Sequence, residues 1–274
     1  EHTGARPCAT LGAAGSIWVA DITDGVVSRL DPATGKVLAT IKTGAGPCGM
    51  AYGAGSVWVE DYSANAVTRI SLPSMHPTTI PVGTSPFDVT FYQGGVWVSD
   101  NQDANIARVD PATGSVRTVQ VGGMPTGIVG AAGRIWVTEG SNGLVAAVDP
   151  TSDRVQQIHV GGNTAWTASD GEDIWLGDQT HQTVVRIDGA TGKVVARTHV
   201  KGLPQDGVVY AGSVWFPGKG GTLARIDPST NRLVATYRIP AVIPFGAAGD
   251  DGRRWIADYG GTNTLAVTLS ALPH

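Results

Sequence analysis

The chain has 274 residues and a formal net charge of −4 from 19 basic and 23 acidic side chains. It shows no basic stripe to neutralise phosphates, so nucleic acid is not an expected partner. No apolar run approaches the length that crosses a bilayer as a helix, so no membrane insertion is expected either.

The first segment with a clear structural signature is Gly-Ser-Ile-Trp-Val-Ala-Asp at residues 15–21. Its β-branched and aromatic residues, preceded by glycine, read as a strand. The same pattern returns around Trp58, Trp97, Trp136, Trp175, Trp215 and Trp255, at spacings of 40, 39, 39, 39, 40 and 40 residues. A period this regular marks an array of one supersecondary unit. In the second unit, residues 47–51, 56–60, 66–70 and 79–82 read as four short strands separated by glycine, proline and polar turns. The turn between the third and fourth strands is Asp31-Pro32-Ala33-Thr34-Gly35 in the first unit. It recurs at 110–114 and, more loosely, at 149–153, 188–192 and 227–231. Aspartate starts such a turn through its side chain, proline presets φ, and glycine takes the left-handed position that closes the hairpin. No window holds a sustained helical period, so essentially no helix is expected.

The second strand of each unit is apolar on both faces, with Val57 and Val59 on one and Trp58 on the other. A sheet with one wet face would not need this, so each unit must be covered by neighbours on both sides. Four strands and about 40 residues per unit then predict an all-β fold, a seven-bladed β-propeller of four-stranded antiparallel blades. It would fill residues 1–274 as a single domain. The last unit runs out of sequence after its third strand. Its outer edge is expected to be short or covered by residues 1–3, and the chain reads as a trimmed product of something longer. A complete fourth strand from residues 270–274 would put the repeat phase out of register.

Cys8 and Cys48 stand one repeat apart at equivalent positions just after a proline. Two readings stay open: a disulfide across adjacent inner strands, which would go with export, or two small buried thiols. Two thiols alone make a poor zinc site, and no metal site is expected. An acid follows the repeat tryptophan by three residues at Asp21, Asp61, Asp100, Glu139, Asp178 and Asp258, with Gly218 in its place in the sixth unit. An acid that recurs this often is expected to accept hydrogen bonds from loop N–H groups or from the arginines that recur on the third strand. The departures from the repeat are more informative. Two residues after the strand-one proline position the default is small, and Asp88, Trp166 and Asp206 break it. An aromatic wall beside two carboxylates predicts a small-molecule site at the central channel mouth, its rim completed by Phe87, Gln205, Phe245, Lys219, Tyr62 and Tyr259. No nucleophile elbow, phosphate loop or zinc-helix motif is present, so catalytic residues stay unassigned.

The unit Pro-x-Gly, then Gly-x-(Ile/Val)-Trp-Val-x-Asp, then (Val/Ile)-x-Arg-(Ile/Val)-Asp-Pro resembles the bacterial propellers that include virginiamycin B lyase and the YVTN-repeat proteins. The resemblance covers nearly the whole chain. It implies a seven-bladed fold and, for the lyases, histidines directly after the strand-one proline, a nearby acid and a Mg²⁺ ion. Here those positions hold Cys8, Cys48, Phe87, Thr126, Ala165, Gln205 and Phe245, none of them histidine. The first expectation is therefore an extracellular or extracytoplasmic, monomeric ligand-binding or sensor propeller for a small molecule or peptide, with no cofactor. One alternative is a lyase or lactonase with a displaced site using Asp88, Asp206 or His181 and a divalent cation such as Mg²⁺. The other is a protein–protein scaffold with exposed aromatics on its outer rim.

Overall fold

The computed structural model describes residues 3–72, 74–241, 243–250 and 253–268. All regular structure among them is β, apart from two single 3₁₀ turns at Tyr62–Ala64 and Gly140–Asn142. In the second unit the four expected strands are Pro47–Gly53, Ser56–Asp61, Ala66–Ser71 and His76–Pro81. Each pairs antiparallel with the next in an up-and-down order. The fold is an all-β propeller with four-stranded antiparallel blades.

The count of complete blades corrects the expectation: among the described residues six sheets have four strands or more, not seven. The last sheet has three described strands, Pro244–Asp250, Arg253–Asp258 and Thr264–Thr268. Residues 270–274, the test of the repeat phase, lie outside the described residues, as do Glu1 and His2. Thr3 is described and buried, and its hydroxyl shares a 2.8 Å hydrogen bond with the hydroxyl of Thr264. The sixth sheet is irregular too. Its innermost strand is split into Leu203–Pro204 and Val208–Tyr210, which both pair with Ser213–Lys219.

The repeat tryptophans hold the sheets together. All seven are at most 1% exposed. Trp58 packs with Val89, Val96, Val98 and Val109 of the next sheet, and Trp97 with Ile128, Ile135, Val137 and Val148 of the one after. The indole N–H groups of Trp18, Trp58 and Trp136 each donate at 3.1 Å to the carbonyl five residues earlier. The third-strand arginine sits directly opposite the tryptophan in register and lies over its ring, at 5.7 Å for Arg29, 5.4 Å for Arg69 and 5.3 Å for Arg186. The arginines therefore serve the tryptophans and not the recurring acids.

Those acids serve the loops, as expected from their repetition. Asp21 accepts from Arg6, Thr23 and Asp24 N–H groups at 2.7, 3.0 and 2.7 Å, and Asp178 from Thr180 N–H at 2.9 Å. The Asp-Pro turns form as read. Asp31 accepts from Ala33 and Thr34 N–H groups, and Gly35 takes φ +75°.

The innermost strands pack side by side in a closed circuit, the strand at Pro244–Asp250 lying beside the one at Pro7–Ala13. Across this last junction Thr10 donates to the carbonyl of Trp255 at 3.0 Å. Cys8 and Cys48 are joined by a disulfide with a Cα–Cα distance of 5.1 Å, which settles the two readings of this pair in favour of the bridge. It ties the first two inner strands together.

Candidate functional site

Where the innermost strands begin, their pairing slips. The register breaks between Pro7 and Ala9, between Pro47 and Met50, between Thr164 and Trp166, and opposite Ser99–Asp100, where Phe87 has no partner. A bulge leaves one residue unpaired and turns its side chain away from the sheet face. The residues so released are Cys8, Cys48, Phe87 and Ala165, and all four line one cavity of about 530 Å³. Gln205 joins them from the split strand of the sixth sheet.

A second ring of residues comes from the loops that follow each second strand. The recurring acid pins the loop, and the next residue faces the cavity: Ile22, Tyr62, Gln179 and Tyr259, joined by Lys219 after Gly218 in the sixth unit. The cavity is thus built from two repeat-equivalent positions whose identities differ from blade to blade; most of them stand outside the strand ladder, while Lys219 pairs with Leu203. Trp166, Glu60, Leu203 and Ile243 complete its wall.

Of the residues singled out from the sequence, Trp166, Phe87, Gln205, Lys219, Tyr62 and Tyr259 are brought together on this wall. Phe87 and Trp166 stack with ring centroids 5.2 Å apart and planes at 30°. One face of Tyr259 is covered by the Arg6 guanidinium, 3.9 Å from the ring centroid. Lys219 is exposed and has no ion pair among the described residues. The Gln205 side chain is buried and donates to the carbonyl of Leu203 at 3.0 Å. The side chain of Phe245 lies outside the described ones.

Asp88 and Asp206 do not line the cavity, which corrects their expected place beside the aromatic wall. Asp88 is a brace: one oxygen accepts from Val89 N–H at 2.8 Å and the other from Ile128 N–H of the next sheet at 3.0 Å. Asp206 occupies the break in the sixth sheet's inner strand. Burial raises the carboxyl of each above its ordinary range, and the charge of Asp88 raises Asp206 further. His181 lies on the loop after the fifth sheet's second strand, exposed, with Nδ1 2.7 Å from Asp178 Oδ2. The three groups of the displaced-site alternative therefore do not gather on this cavity. Among the described residues no cluster of three or more His, Cys, Asp or Glu could hold a metal ion.

Glu60 was not singled out from the sequence and is the acid that does reach the cavity. It stands two residues after Trp58, where the other units carry Ala20, Ser99, Thr138, Gly177, Pro217 and Ala257. The sequence carries the signal: Glu60 is the one charged residue at this position of the repeat. The side chain is 1% exposed. Oε1 accepts from Gly49 N–H at 2.9 Å, and Oε2 is buried with no hydrogen-bond partner. Burial pushes its carboxyl well above the usual range, and the charges of Asp88 and Asp61 push in the same direction. Gly49 is what lets the acids come so close. A Cβ there would stand 2.9 Å from Asp88 Oδ1 and 3.2 Å from Glu60 Cγ.

The sequence family described as a repeat of unknown function (DUF6923) matches residues 55–170. No curated protein matches the chain. Among solved structures, hydrazine synthase of Kuenenia stuttgartiensis is similar with a TM-score of 0.86 and 15% identity, over 97% of this chain and 96% of that one. The structure of U3-55K is similar with a TM-score of 0.80 and 11% identity, over 93% of this chain and 89% of that one. At these identities the likeness is one of fold: a β-propeller of repeats.

Proposed function

We propose that this chain is an extracytoplasmic ligand-binding or sensor propeller that takes a small molecule, or the end of a peptide, into the 530 Å³ cavity at the centre of the ring. The observation that carries the reading is the cavity's construction. It is a concave, mainly apolar pocket of ligand-binding size, walled by positions at which an otherwise uniform repeat varies. Export is supported by the Cys8–Cys48 disulfide, since such bonds persist in oxidising compartments. We read the three-stranded sheet as an incomplete seventh blade, because it closes the circuit of innermost strands between the sixth sheet and the first.

The scaffold alternative called for exposed aromatics on the outer rim. The exposed large apolar residues of the fourth strands are aliphatic: Val37, Leu38, Val116, Val195, Leu233 and Val234. The exposed aromatics among the described residues are Tyr52 and Tyr62, and Tyr62 belongs to the cavity. The test is a thermal-shift screen of small metabolites and peptides, followed by affinities on a Trp166→Gly variant. That change restores the small residue found in other units, so the fold is expected to survive and binding to be lost. A ligand bound with unchanged affinity by Trp166→Gly would retire the reading.

A further inference from the structure

Glu60 is the only carboxylate on the cavity wall among the described residues, and Lys219 is the only cation. Their settings differ. Lys219 is exposed, so its charge is solvated and adds little to affinity. Glu60 is dry, with Oε1 held by Gly49 N–H and Oε2 left without a donor. A buried acceptor without a partner is costly, and a ligand that brings a donor to it removes the cost. The adjoining wall points to the kind of donor. Phe87 and Trp166 present stacked rings, whose faces attract cations.

We propose that the cavity is selective for a primary ammonium carried on an apolar or aromatic body, with the nitrogen donating to Glu60 Oε2 and the body resting against Phe87 and Trp166. This rests on the reading of the cavity as a ligand site and adds the class of ligand. In the empty cavity burial raises the Glu60 carboxyl well above its ordinary range, opposed by the Gly49 N–H and helped by the charges of Asp88 and Asp61. An arriving ammonium favours the carboxylate, so the proton on Glu60 leaves to solvent as the ion pair forms.

The experiment is isothermal titration of the whole chain with phenethylamine, phenethyl alcohol and phenylacetate, in two buffers of different ionisation enthalpy. The amine is expected to bind at least about tenfold more tightly than the alcohol and to release up to about one proton per molecule bound. Glu60→Gln keeps an acceptor for Gly49 N–H. It should bring the amine down to the alcohol's affinity, with the alcohol itself within about twofold of wild type. Should Glu60→Gln fail to fold, Glu60→Asp serves, with an intermediate loss expected for the amine alone. Equal binding of amine and alcohol, or an unchanged amine affinity in Glu60→Gln, would overturn the inference. So would phenylacetate binding most tightly and losing its affinity in Lys219→Met, or none of the three probes binding. An alcohol that binds wild type as tightly as the amine, and does not bind Trp166→Gly, would sink the ammonium and leave the cavity reading standing. Any probe indifferent to Trp166→Gly would sink both.

Discussion

Removing the disulfide is the most quantitative perturbation the structure offers. Cys8 and Cys48 close a loop with a sequence separation of 40. The chain-entropy argument gives about 13 cal/mol/K for a loop of that length, or about 4 kcal/mol at room temperature. Cys8 is 3% exposed, so replacement by serine would add a buried hydroxyl, and a Cys8→Ala/Cys48→Ala double variant isolates the cross-link better. Urea unfolding followed by tryptophan fluorescence should show a midpoint lowered by about 4 kcal/mol divided by the slope. Wild type under reductant should move to the same place. The cost should appear mainly in the unfolded state, so the folded double variant keeps the ring and its tryptophan environments. A loss below about 1 kcal/mol would refute the reasoning, because the two inner strands would then be held together as firmly by packing alone.

Three further outcomes follow from buried groups. Burial raises Asp100 to about 7, and Asp103 nearby adds to this; burial likewise raises Asp61 to about 6. A carboxyl whose folded value is raised costs nothing below its unfolded value near 4, and its full cost is present above its folded value. Stability should therefore rise as pH falls from 8 to 5, and Asp100→Asn should flatten that slope in chemical denaturation by up to a few kcal/mol. Trp97→Ala, at a residue with no exposure, should cost about 3–5 kcal/mol in the same assay, and a cost under about 1 kcal/mol would deny the tryptophan its place between sheets. Gly49→Ala pushes a methyl against Asp88 and Glu60 and should cost about 1–3 kcal/mol, with phenethylamine affinity falling alongside.

Fold and site were not equally legible in the sequence, for a physical reason. The tryptophan, the following acid and the Asp-Pro turn repeat because each solves a problem that every blade has: covering a sheet face, satisfying loop N–H groups and closing a hairpin. Such solutions recur and can be counted. The sixth sheet's split inner strand was not legible, although Pro204 and Gly207 interrupt it, because the repeat spacing around Trp215 stays intact. Asp88 was misplaced for a related reason. It is an acid in a ring of small residues, which looks functional, yet both its oxygens are spent on backbone N–H groups of two sheets, a debt no sequence pattern displays.

The cavity shows the converse. Cys8, Cys48, Phe87 and Ala165 face it because a bulge frees them from the ladder, Ile22, Tyr62, Gln179 and Tyr259 because the acid before each ends the strand there, and Lys219 as the last residue of its strand. The Cys8–Cys48 bridge apart, these two positions carry little of the fold, so function can be written there at small cost to the propeller. Glu60 is different. It sits inside a strand, one residue before the structural acid Asp61, at a position the other units fill with small or uncharged residues. An acid there must be desolvated, and Gly49 must stay side-chain-free to make room for it. An acid that costs this much to bury, lines the cavity and still keeps one oxygen unpartnered is better explained by what it meets in the cavity than by anything it does for the blade.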